Sequence, residues 1–179
     1  MRKVVLTFGL IAGAILSIMM IASTALIDTI GFDKGEIIGY TTMVIAFLMI
    51  FFGVKAYRDN VAGGELSFGR AFKVGMLIFA IASTCYVATW QVIYYAVWPD
   101  FPDKYAAHTI DKARAGGATE AELAVRQREM TQFAALYKNP LINIALTFLE
   151  PLPVGLGVAL IAAGVLRRRK NGAAVSGRE

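Results

Sequence analysis

The sequence predicts an all-α polytopic membrane protein, with four transmembrane helices and a helical extracytoplasmic cap between the third and fourth. Three observations lead there. The 179 residues are 57% hydrophobic and only 17% charged, well under the charged fraction of about a quarter found in soluble domains. Apolar stretches fall at about 4–27, 37–54, 74–98 and 141–166, each near the roughly 20 residues that cross the hydrocarbon core as a helix. Cations gather at one set of ends, as Arg2 and Lys3, Lys55 and Arg58, Arg70 and Lys73, and Arg167 to Lys170. That bias marks cytoplasmic loops and places both the N- and C-termini in the cytoplasm. It also absorbs the net charge of +5, leaving no separate basic domain for nucleic acid. The lipid bilayer is the expected surrounding of a single domain over 1–179.

Arg2 and Lys3 precede the first span, whose apolar core is longer than the roughly 7–15 residues of a cleaved signal, so an uncleaved anchor is expected. Gly9, Gly13 and Ser17 recur every four residues there, as do Gly155, Ala159 and Ala163 in the last span. Small faces of this kind let helices approach closely, and these two helices are the expected close pair. Asp28 to Glu36 reads as an acidic outer turn with Gly31 and Gly35 as breakers. The second span ends on Phe51, Phe52 and Tyr57, suited to an inner aromatic belt. In the hairpin that follows, Gly63-Gly64 supplies a turn and Ser67 caps the next helix. The absence of a Gly-Lys-Ser/Thr element there excludes a phosphate loop.

Along the third span Tyr86, Trp90, Tyr94 and Trp98 form a stripe, read as an interfacial belt with packing. Thr84, Ala88, Gln91 and Tyr95 share a second face. Pro99 and Pro102 end that helix and open the insert at 99–140. The insert holds a helix around Lys104 to Ala115, a Gly116-Gly117 break, and a second helix begun by a Thr119/Glu122 capping box. Its apolar stripe is Leu123, Met130, Phe133 and Tyr137. His108, the sole histidine, reads as a solvated residue near Asp111, and no metal ligand set or cofactor motif accompanies it. The lone Cys85 excludes an intramolecular disulfide and a cysteine-based zinc site. Residues 171–179 are expected as a flexible cytoplasmic tail.

The last span is interrupted at Glu150-Pro151-Leu152-Pro153. A carboxyl group at that depth costs about 2.5 to 3.5 kcal/mol on insertion, so such residues usually face a bundle interior or a wet cavity. Pro151 and Pro153 cannot donate to the carbonyls of Thr147 and Leu149, which frees two acceptors beside the acid. Glu150 lies nine residues from Leu141 and Gln91 eight from Pro99, depths of about 14 and 12 Å if both helices start at one surface. The candidate polar site is therefore Glu150, Gln91, Tyr95, Asn143, Thr147 and Tyr40, with Pro151 and Pro153 as the break. Either Glu150 fixes helix register, or it binds a proton, cation or polar ligand. No nucleophile elbow, paired metal ligands or histidine relay is present, so no catalytic residue is assigned and no enzyme is expected.

The stretch from Met49 to Lys73, with Phe52-Gly53-Val54-Lys55, Tyr57-Arg58-Asp59-Asn60 and Ser67-Phe68-Gly69-Arg70, together with Glu150 to Leu156, resembles the domain-of-unknown-function family 4199. These are small bacterial membrane proteins with four predicted spans. The resemblance implies a bacterial inner (plasma) membrane and no established activity, and it carries no catalytic role to Tyr57, Arg58, Gln91 or Glu150. The expected role is that of a non-enzymatic structural or assembly component, as a homo-oligomer or with other membrane proteins. The alternative is a small transporter or sensor using Glu150 and Gln91.

Overall fold

A computed structural model describes residues 1–168; Arg169, Lys170 and the expected tail at 171–179 lie outside the described residues. The element order is α1 (Arg2–Ala25), α2 (Ile27–Ile30), α3 (Phe32–Asn60), α4 (Phe68–Ala96), α5 (Phe101–Ala115), α6 (Glu120–Tyr137), α7 (Pro140–Leu149) and α8 (Leu152–Leu166). No strand occurs among the described residues. Four helical stretches, with α7 and α8 taken as one, are long and apolar enough to cross a membrane. This is the all-α, four-span architecture of a multi-pass membrane protein.

Local chemistry explains the boundaries. Gly31 adopts φ 77°, a left-handed conformation in which it separates α2 from α3. Gly35, expected as a second breaker, instead lies inside α3. The Ser67 hydroxyl accepts from the Arg70 amide and starts α4. Pro102 does not lie in a terminating loop: it occupies the first turn of α5, where a missing N–H costs nothing. Thr119 and Glu122 close both bonds of the capping box at the start of α6.

α3 and α4 form the centre, with α1 and α8 each packed against both of them. This corrects the expected pairing of α1 with α8. The small faces of both helices turn to α4 instead. A Cβ added at Gly13 would stand 2.7 Å from Cβ of Cys85, and one at Gly9 would stand 2.8 Å from Cβ of Ile81. On the other side, a Cβ at Gly155 would collide with the Phe79 ring. The core between them is tightly filled, with Phe47, Ile50, Val74, Ile78, Phe79 and Ala163 essentially inaccessible. Outward-facing residues such as Leu10, Ile18, Ile45, Val92 and Ile161 leave the bundle with an apolar exterior, the surface that lipid rather than water accommodates. At the end where α1 begins and α8 ends, Leu66 and Arg168 exchange backbone hydrogen bonds of 3.0 and 2.9 Å. That pair ties the hairpin after α3 to the end of α8.

The aromatic stripe of α4 is a second correction. Tyr86, Trp90, Tyr94 and Trp98 are all at least nine-tenths buried, so they are packing residues and not a lipid-facing belt. The insert covers them: Phe101 meets Trp90 edge to face at 4.8 Å, and Tyr137 meets Tyr94 at 5.5 Å. Phe32 at the start of α3 stacks on Trp98 and on His108. His108 is therefore half-buried against an aromatic ring and 3.3 Å from Asp33, while Lys112 reaches the same Asp33 oxygen at 2.6 Å. His108, expected as a solvated residue near Asp111, thus turns to Asp33, while Asp111 accepts from Arg114. Asp33 holds the Lys112 ammonium above its ordinary pKa through that hydrogen bond. Tyr57, expected in an inner belt, is likewise buried in the core, while Phe52 faces outward.

Candidate functional site

The site is built at the interruption between α7 and α8. The Glu150 amide still bonds the Leu146 carbonyl at 3.1 Å, but Pro151 has no N–H to continue the ladder. The helix resumes only when the Gly155 amide bonds the Pro151 carbonyl at 3.0 Å. Around the break, α7 packs on α4 and α6, whereas α8 packs on α3 and α4. The last span thus changes neighbours at Glu150, and a gap opens beside the carboxyl group.

Two polar sets occupy this level. In the first, the Gln91 side-chain amide donates to Asn143 Oδ1 at 2.7 Å, and the Thr147 hydroxyl donates to the Asn143 carbonyl at 2.8 Å. Asn143 is fully buried and Thr147 nearly so, so these bonds satisfy groups that would be costly to strand in an apolar interior. Beside them, burial pushes the Tyr137 phenol up to about 12, keeping it a neutral hydroxyl. In the second set, the Tyr86 hydroxyl donates to Oε2 of Glu150 at 2.8 Å. Glu150 remains exposed and is among the residues lining a cavity of about 150 Å³. That cavity lies between the second half of α1 and the first half of α3, with Ser23, Glu36, Tyr40 and Thr42 on its wall.

The sequence-derived set therefore divides. Gln91, Asn143 and Thr147 come together, Glu150 and Tyr40 share the cavity, and Tyr95 points away with more than half of its surface exposed. Gln91 does not meet Glu150. The depth count assumed that α4 and α7 leave the same surface, yet Asn143, two residues past Leu141, already meets Gln91, eight residues before Pro99. The helices are offset by about 9 Å, which carries Glu150 down to Tyr86.

Two residues were missed. Tyr86 was assigned to the packing stripe, and only its spacing from Gln91 combined with the helix offset would have revealed it. Glu36 was assigned to the outer turn; its place one turn before Tyr40 on α3 was the available signal. It means that the acid inside the bundle has a second carboxylate facing the same space. Among the described residues no group of three His, Cys, Asp or Glu side chains converges as a metal site. The arrangement can hold a positive charge or exchange a proton in an otherwise apolar bundle.

No curated protein and no solved structure matches this chain. The family model described as a protein of unknown function, DUF4199, matches residues 7–168, which take in most of α1, the other three apolar helices and the insert; the chain belongs to that family.

Proposed function

We propose that the protein binds a proton, cation or polar ligand at Glu150, reached through the cavity between α1 and α3, and acts as a small sensor or transporter. The cavity carries this reading. A purely architectural acid would be enclosed by its partners, whereas Glu150 keeps an accessible face beside Glu36 while Tyr86 fixes its position. The charge pattern supports a bacterial inner-membrane location with both termini cytoplasmic: Arg2, Lys3, Lys55, Arg58, Arg70 and Lys73 cluster at the end opposite the insert. In that orientation the cavity faces the extracytoplasmic half of the bilayer.

The test uses the full chain in proteoliposomes, with tryptophan emission followed as pH and salt are varied. Trp90 lies one helical turn from Tyr86 and reports on the site. A proton- or cation-dependent change in the wild type that disappears in Glu150→Gln supports the reading. Identical emission from wild type under every condition removes it.

An assembly role retains one specific observation in its favour. Gly157 and Gly164, seven residues apart on α8, have open space where a Cβ would stand, a face on which another membrane helix could lie closely. Cross-linking between cysteines introduced at Gly157 tests that contact in the membrane.

A further inference from the structure

Resting on the reading of Glu150 as a binding site, we infer that its ligand is a small organic ammonium ion, seated between Glu150 and Glu36. The cavity wall carries two carboxylates and no basic residue. Neither carboxylate takes part in an ion pair among the described residues. The nearby cations are otherwise engaged: Lys112 is bound to Asp33, and Lys104 to Asp100. Glu150 has one hydrogen bond, from Tyr86, and no cation beside it, while Glu36 stands exposed on the same cavity; two unpaired carboxylates facing one space are stabilised by a bound counter-charge.

Size and wall chemistry narrow the class. The cavity measures about 150 Å³, the volume of an engineered protein cavity that admits benzene, so a ligand of about six heavy atoms fits. A bare divalent cation requires a shell of six or more oxygen ligands, and no group of three metal-binding side chains converges among the described residues. Besides the hydroxyl-bearing Ser23, Thr24 and Thr42, the wall includes Tyr40 and Tyr86 and the methionines Met19, Met20 and Met43. Aromatic faces attract alkylammonium groups, and polarizable thioether sulfur packs well against alkyl substituents.

Thr42 supplies an independent indication. It is more than nine-tenths buried and lines the cavity. Thr84, Thr109 and Thr131 each donate to the carbonyl four residues back; Thr42 has no hydrogen-bond partner among the described residues. Its hydroxyl is not one of the enclosed unpartnered atoms, which are Ser83 Oγ and Trp90 Nε1, so it stays open to the cavity with a free acceptor. An ammonium N–H, or water carried in with it, can donate to that oxygen between the two acids.

The experiment is calorimetric titration of the full chain in detergent micelles with methylammonium and tetramethylammonium chlorides. Sodium chloride controls for ionic strength, and tert-butanol is a neutral ligand of similar size. The expected result is saturable binding of an ammonium ion, weakened at least about tenfold in Glu36→Gln and in Glu150→Gln, with no saturable binding of tert-butanol. Glu36 is exposed near a helix end, so its variant keeps the test valid should Glu150→Gln fail to fold. Equal binding of tert-butanol overturns the inference, because charge would then play no part. Loss of the ammonium signal with retention of a sodium or proton response overturns the ligand class alone and leaves the broader binding reading standing. Silence toward ammonium, sodium and protons alike overturns both.

Discussion

The hydroxyl of Tyr86 donates a 2.8 Å hydrogen bond to Oε2 of Glu150, joining the middle of α4 to the break in the last span across 64 residues of sequence. This bond holds the carboxyl group at the cavity and selects which of its oxygens stays free. Tyr86→Phe is expected to destabilise the bundle by about 1 kcal/mol, the scale of interhelical hydrogen bonds in membranes. Unfolding of single and double variants in mixed micelles checks it. Tyr86→Phe and Glu150→Leu should be non-additive, and additivity within about 0.5 kcal/mol would show that the two side chains do not interact.

Glycine substitutions should separate the two sides of the packing. Gly13→Ala forces a methyl group against Cys85 and is expected to cost about 1–3 kcal/mol by overpacking. Gly157→Ala enters open space on a helix and should be neutral or stabilising by about 0.5–1 kcal/mol through backbone entropy. Thermal unfolding of the two variants in one detergent compares them directly. Equal damage at both positions would contradict the packing of α1 on α4.

The insert is held by rings more than by ions. Phe32 contacts Trp98, Phe101, Tyr105 and His108, whereas the Asp33 to Lys112 pair is exposed and screened by solvent. Phe32→Ala should cost about 2 kcal/mol through lost apolar burial and speed proteolysis at Gly116-Gly117. Asp33→Asn should change the cleavage rate little. A reversed order of effects would assign the docking to charge.

The insert also has a pH signature at each extreme. The Thr119 backbone amide and hydroxyl hold the Glu122 carboxyl below its ordinary pKa, so its contribution is present above the unfolded value and fades as pH falls through the folded one. The Lys112 ammonium is raised by Asp33, so that contribution is complete below the ordinary lysine pKa and fades as pH rises through the folded value. Amide protection at the start of α6, taken relative to intrinsic exchange at each pH, should fall in acid in the wild type. In Glu122→Gln that acid-dependent component should vanish, and if it persisted the capping carboxylate would not be its source.

The all-α class, the four apolar spans, the capped helix of the insert and the break at Glu150-Pro151 were legible in the sequence, because each rests on chemistry within one or two helical turns. Apolar length, a capping hydroxyl and a missing proline N–H need no knowledge of neighbours. Partnership was another matter. Gly9, Gly13, Gly155 and Ala159 announced close packing, yet only the tertiary structure showed that both faces seek α4, since a small residue specifies proximity without naming what approaches. The same holds for the site: Gln91 and Glu150 looked level, and an offset of about six residues between α4 and α7 gave Gln91 to Asn143 and Glu150 to Tyr86. That offset rests on pairs 52 and 64 residues apart in sequence, beyond the reach of any local pattern, and it brings the acid to a cavity shared with Glu36.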